Sequence, residues 1–352
     1  MHKTILIFLT STIVSGTILV ITSEKWFIIW VGLELSTLAL VPILCSKFSP
    51  RKIESTIKYF LIQALSAAIL LKRALVKAWL TGSWSILDPL KEISVLLIVT
   101  ALAFKIGLAP CHFWLPDVLQ GLPFSRGLVI ASWQKISPLV ILFSFEQISK
   151  SNLIPAMGVL SVLIGGWGGL NQTQIRKILA FSSIGKMGWI RVTSFYSQRT
   201  ALTILIIYLI INRTVFLVAK FMRFSTLGHL NIIAQLSPAT VLIITLTILS
   251  LGGLPPLTGF MIKFMSLHFL LAKGFIFLSI VLILGTLLRL FFYVRISFKT
   301  SLVIFPQHII SLSSWRKTSY LPEVRLKTWV ISAMSVLSTI SIPLSLLSFI
   351  FI

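Results

Sequence analysis

The chain has 352 residues, 57% of them hydrophobic, a mean hydropathy of +1.01 and a formal net charge of +23. Soluble globular chains hold about 45–50% apolar residues, and apolar runs near 20 residues long, parted by short polar breaks, match a bilayer rather than a water-excluded core. Composition excludes a soluble domain and predicts an all-α, polytopic transmembrane helix bundle of about eleven spans.

The first apolar run, 4–22, follows Met1-His2-Lys3 and superficially resembles a secretory leader. No small-residue cleavage site followed by a soluble domain succeeds it, so it reads as the first span. An Arg- and Ser-rich amphipathic transit peptide is also missing, which suits a protein made inside its organelle or in a bacterium. Further spans are expected near 26–46, 57–78, 93–112, 123–145, 152–170, 175–195, 200–221, 238–270, 274–297 and 327–350. Cys45 and Cys111 both lie in hydrophobic context and read as small apolar residues rather than a disulfide framework.

Orientation follows from the basic loops, because Lys and Arg collect on the side from which insertion occurs. Lys47, Arg51 and Lys52 follow the second span, Arg176 and Lys177 the sixth, and Lys299, Arg316, Lys317 and Arg325 the tenth. All follow even-numbered spans, which places the N-terminus on the matrix or cytoplasmic side. The long loop 298–327 also offers His308, Trp315 and Tyr320 to an interface.

A charged side chain within a span costs at least about 2.5–3.5 kcal/mol on insertion scales, so each needs a reason. Glu34 sits midway along the second span, in Trp30-Val31-Gly32-Leu33-Glu34-Leu35. It reads either as a packing carboxylate held protonated or as one that changes its protonation state. Lys105 precedes Pro110, whose missing amide hydrogen leaves the carbonyl of Ile106 unpaired, so the helix should break just beyond the lysine. Broken helices in membranes line protected cavities, where transporters bind ions.

Lys135 lies in the fifth span just ahead of Pro138. Lys263 follows Gly252-Gly253-Leu254-Pro255-Pro256-Leu257-Thr258-Gly259, the strongest helix breaker in the chain. The sequence thus predicts two interrupted helices whose lysines sit unlike each other. Lys105 is at the C-terminal, partially negative end of its half-helix, whereas Lys263 is near the N-terminal, partially positive end of its own. That asymmetry would give a migrating proton a direction.

Together these motifs resemble the NADH dehydrogenase subunit 2 family of respiratory complex I, which is related to bacterial antiporter-type subunits. The resemblance covers almost the whole chain. It also rests on Ile57-Lys58-Tyr59-Phe60-Leu61-Ile62-Gln63-Ala64, on Pro110-Cys111-His112-Phe113-Trp114-Leu115-Pro116-Asp117, and on Gln174-Ile175-Arg176-Lys177-Ile178-Leu179-Ala180-Phe181-Ser182-Ser183. It implies a single antiporter-like domain over residues 1–352 in a mitochondrial inner membrane, partnered by the other membrane subunits of the complex. By the same resemblance Glu34 and Lys105 form the ion pair of a proton channel, Lys135 bridges, and Lys263 is an entry or exit site. His112 is a weaker relay candidate, since a lone histidine near a span end is more often an interfacial hydrogen-bonder. Lys186 departs from the family, which usually has a histidine there.

No cofactor or metal is expected in this chain. NADH, FMN, iron–sulfur clusters and ubiquinone would belong to other subunits, in keeping with the lack of a cysteine cluster or a G-x-G-x-x-G fingerprint. A passive scaffold and a multisubunit sodium/proton antiporter subunit are the competing readings.

The remaining cations are anomalous. Lys72, Arg73, Arg126, Lys186, Arg191, Arg213 and Lys220 fall within or beside spans, and only 8 acidic residues exist to pair with the 31 Lys and Arg of the chain. Some mitochondrial codes read AAA as asparagine and AGA or AGG as serine, a reading that would place neutral polar side chains at such positions. The basicity is accordingly no argument for nucleic-acid binding.

Overall fold

The computed structural model describes residues 3–46, 48–85, 92–144, 153–222, 226–228, 238–255, 257–301 and 335–336. Among these the regular structure is helical, apart from two isolated β-bridges, Lys25–Ser85 and Gln174–Thr226. The expected span 327–350, all but the first residues of the loop 298–327, and Pro256 lie outside the described residues.

The chain divides into two compact units, Met1–Ser161 and Val162–Ile352. In the first, α1 (Lys3–Thr22) packs against α2 (Trp26–Cys45), and α2 against α3 (Pro50–Thr81). The α1–α2 crossing is close because Gly16 and Gly32 face each other. A Cβ at either would lie 2.8 Å from the other's carbonyl oxygen. The Trp30 indole donates to the Ala67 carbonyl at 3.1 Å, tying α2 to α3.

Helix α3 is longer than its apolar stretch, 32 residues or about 48 Å at 1.5 Å per residue. Its extra length is polar, with Arg51, Lys52, Glu54 and Lys58 in the first turns, and Pro50 starts it where no amide is needed. Gly82, at φ +68°, ends it with a left-handed cap to the Ala78 carbonyl.

Helix α4 (Glu92–Ile106) stops one residue after Lys105, and α5 (Trp114–Gly121) resumes eight residues on. Then come α6 (Phe124–Leu128), a π-helical turn (Val129–Trp133) and α7 (Gln134–Ser144). Helix α4 packs on α3 and α7, α5 on α3, and α7 also touches α1 and α2.

The helices that follow are α8 (Leu153–Leu170), α9 (Ile175–Tyr196), α10 (Gln198–Met222), α11 (Pro238–Gly252), α12 (Thr258–Ala272) and α13 (Ile276–Ser301). In the second unit α11 packs on α13 and α10, and α9 meets α10, α12 and α13. Helix α9 is buried without a break from Ser182 to Ser194, so its surroundings are protein, not lipid. Gly165 of α8 allows a close approach, since a Cβ there would lie 2.7 Å from the Gly185 amide.

Seven described helical stretches are long and apolar enough to cross a membrane, and shorter apolar helices at Ser94–Ile106, Ile243–Gly252 and Thr258–Ala272 accompany them. The segment expected at 93–112 is a half-helix that ends at the first break, and the interrupted segment expected at 238–270 is two short helices, α11 and α12, on either side of the second.

Candidate functional site

The first break is built by local chemistry. Gly107 takes φ +80°, a region that suits glycine, and its amide bonds to the Ala103 carbonyl at 2.9 Å. Leu108 donates to the same carbonyl at 3.0 Å. The Trp114 indole donates to the Phe104 carbonyl at 3.0 Å, satisfying one of the acceptors that the helix end exposes. Pro110 lies within the break. The buried His112 ring places Nδ1 3.2 Å from the Pro110 carbonyl, so this histidine has a local partner inside the connection.

Lys105, 5% exposed in the last turn of α4, has no hydrogen-bond partner for Nζ among the described residues. The expected ion pair with Glu34 of α2 is not closed to contact distance, since the ion pairs among the described residues are those of Lys58. Glu34 acts on Lys105 electrostatically from beyond 4 Å, and also on the buried phenol of Tyr59 on α3. Neither Glu34 Oε2 nor the Tyr59 hydroxyl has a hydrogen-bond partner among the described residues. Three helices therefore bring a carboxylate, an ammonium and a phenol into one buried region. The sequence motif Ile57–Ala64 carried Tyr59 without marking it, because an aromatic at helical spacing reads first as core.

Two family-like runs also meet directly. Lys58 of α3 reaches Asp117 of α5 at 3.3 Å and Glu54 at 2.8 Å, and the Tyr59 and Trp114 rings stand 5.9 Å apart.

Lys135, 1% exposed, is the second residue of α7, the helix that directly follows the π-helical turn. Such turns occur frequently at functional sites. Helix α7 packs against α2 and α4, the carriers of Glu34 and Lys105. Gln134 fixes the register by donating to the Ser36 carbonyl at 3.2 Å.

Lys263 belongs to the second unit and sits in the second turn of α12. Its ammonium crosses the second break and donates to the Gly252 carbonyl at 2.6 Å and the Gly253 carbonyl at 3.4 Å. The expectation of a lysine held at a helix N-terminus is corrected here: Lys263 Nζ rests on the C-terminal, partially negative end of α11. Side chains on a helix lean toward its N-terminus, and a lysine stem is long enough to carry the charge past its own first turn. The proposed dipole asymmetry between the two lysines disappears. They differ instead in surroundings, a carboxylate acting from beyond contact for Lys105 and open carbonyls that bond Lys263.

A cavity of about 20 Å³ adjoins Lys263, lined among others by Lys186 and Trp189 of α9 and Arg289 and Tyr293 of α13. Pro255 lies in the break. Among the described residues no group of three or more His, Cys, Asp or Glu side chains is placed to hold a metal. Cys45 and Cys111 are free, and the Cys45 thiol is 2.9 Å from the Thr56 hydroxyl.

Residues 23–289 match the family described as NADH:quinone oxidoreductase/Mrp antiporter, transmembrane region, and residues 290–349 match NADH dehydrogenase subunit 2, C-terminus. NADH-ubiquinone oxidoreductase chain 2 of Strongylocentrotus purpuratus is 62% identical over 346 residues, and that of Paracentrotus lividus 60%, each with 98% of both chains covered. A chain of respiratory complex I from Thermus thermophilus, solved with bound aureothin, has the same fold with a TM-score of 0.77 at 24% identity, over 95% of this chain and 78% of that one. By these matches the chain belongs to the NADH:quinone oxidoreductase/Mrp antiporter membrane family and, within it, to the NADH dehydrogenase subunit 2 branch.

Proposed function

We propose that this chain is a proton-translocating membrane subunit of respiratory NADH:ubiquinone oxidoreductase, acting as one antiporter-like domain. The observation that carries the reading is Lys105, buried at the end of a broken helix with no hydrogen-bond partner among the described residues and with the Glu34 carboxylate near enough to act on its charge. A scaffold gains nothing from such a group, whereas a change of charge nearby shifts a buried lysine's proton affinity, each pKa unit being about 1.36 kcal/mol.

Electron transfer occurs in other subunits, which hold NADH, FMN, iron–sulfur clusters and ubiquinone. It alters the charge balance at Glu34 and Lys105; Lys135 passes protons on, and Lys263 exchanges them at the second break. His112 is a reserve relay position beside the first break. The partners are the other membrane subunits and lipid. The location is the mitochondrial inner membrane, with the N-terminus facing the matrix, a side supported by the basic loops after even-numbered spans.

The Mrp half of the family description supports a second reading, a sodium/proton antiporter subunit. Proton uptake by vesicles containing the intact complex, driven by NADH, separates the two. Lys105→Ala should cut protons moved per NADH at least about tenfold, a barrier change of about 1.4 kcal/mol, while NADH oxidation by an artificial acceptor stays normal. Unchanged pumping would overturn the relay, and sodium-dependent pumping would favour the antiporter.

A further inference from the structure

From Val162 to Ile352 the only acidic residue in the sequence is Glu323. The most continuously buried helix of that unit, α9, nonetheless carries Lys186 and Arg191, exposed 8% and 2%, and α13 adds Arg289 at 6%. Lys186 Nζ and Arg289 Nε have no hydrogen-bond partner among the described residues, and the Arg191 guanidinium reaches only Ser194, on its own helix, at 3.2 Å. The same pattern recurs on α3. Arg73 is 1% exposed, none of its three guanidinium nitrogens has a hydrogen-bond partner among the described residues, and its neighbour is the Trp26 ring at 4.6 Å. Among the described residues the only ion pairs are those of Lys58, none of which involves these four cations.

Lys186, Lys263 and Arg289 moreover converge on one cavity, with no carboxylate among its lining residues. Lys186 lies 5.8 Å from the Tyr208 ring centroid, and the other two cations repel it. Burial of a charge is tolerated when it is paired or hydrogen-bonded. Lys105 has the Glu34 carboxylate near enough to act on it, and Lys263 has the carbonyls of a broken helix. The other four have no carboxylate beside them among the described residues and, apart from the Ser194 hydroxyl on the helix of Arg191, no hydrogen-bond acceptor, and an arginine, permanently protonated, cannot serve in a proton relay.

We propose that the polypeptide, as made in its organelle, carries neutral polar side chains at these positions: asparagine at 186 and serine at 73, 191 and 289, through a mitochondrial code that reads AAA as asparagine and AGA or AGG as serine. The replacements are shorter, so the cavity beside Lys263 grows beyond its present 20 Å³, already room for about one water. It becomes a neutral, polar, water-holding pocket with Lys263 as its single cation. Small hydroxyl and amide groups are also what closely packed membrane helices use to bond across one another, as the tight α8–α9 crossing at Gly165 and Gly185 allows.

The assignment is independent of whether Lys263 moves protons, and its test reads chemistry rather than pumping. The complex purified from native inner membranes is digested with chymotrypsin, and the peptides spanning positions 73, 186, 191 and 289 are sequenced by tandem mass spectrometry, with trypsin in parallel. The expected result is asparagine at 186, serine at 73, 191 and 289, and tryptic peptides that run uncut through all four. Lysine at 186 or arginine at 289 would overturn the neutral pocket, and arginine at 73 or 191 would overturn the wider assignment.

Discussion

At Glu34 a single carboxylate acts electrostatically on two buried groups without bonding either, the Lys105 ammonium and the Tyr59 phenol. Removing its charge leaves the buried lysine with no carboxylate near it to answer a change of charge. Glu34→Gln, nearly equal in shape, should therefore assemble normally yet lose proton pumping at least about tenfold, a barrier change near 1.4 kcal/mol. Proton flux in vesicles normalised to NADH oxidation checks this; a variant that pumps at the parental ratio would remove Glu34 from the path. Glu34 and Lys105 were both legible in the sequence, because charge inside an apolar run is conspicuous. Tyr59 was not: its phenol matters through what faces it on another helix.

Both breaks are written locally, yet only the three-dimensional arrangement shows what they do. At the first, Gly107 and Trp114 tidy the end of α4 through the Ala103 and Phe104 carbonyls. At the second, the carbonyls of Gly252 and Gly253 stay open and receive Lys263. Gly253 holds φ +68°, and a Cβ there would lie 2.7 Å from Lys263 Cε and 2.9 Å from the Gly259 carbonyl oxygen. Gly253→Ala should thus destabilise the second unit by about 1–2 kcal/mol from backbone strain alone and displace the lysine from its carbonyls. Expected are a lower melting temperature of the complex and reduced pumping. A variant equal to the parent in both would show the break to be more pliable than its dihedral implies. The reversal of the dipole argument at Lys263 belongs to this scale too. Position along the sequence located its Cα near a helix start, but the length and lean of the side chain decided which helix end its charge meets.

Over the whole molecule, apolar side chains face outward: Phe8 is 65% exposed, Phe277 81% and Trp79 89%. Surfaces of that kind fit lipid or neighbouring membrane subunits, since water does not reward them. The predicted orientation is open to a direct check. With single cysteines at positions 25 and 51 in a background lacking Cys45 and Cys111, a membrane-impermeant maleimide should label position 51 from the matrix side and position 25 from the opposite side. The reverse pattern would invert the topology. Sequence alone determined the solvent, the helical class, the two interruptions and the buried charges, because hydropathy, proline and glycine act over a few neighbouring residues. Only tertiary structure decided that Tyr59 joins the field of Glu34, a residue the resemblance had already set with Lys105, that Lys263 crosses to the end of another helix, and that α9 lies encased in protein. Those outcomes depend on which helix faces which, and sequence separation carries no distance between helices.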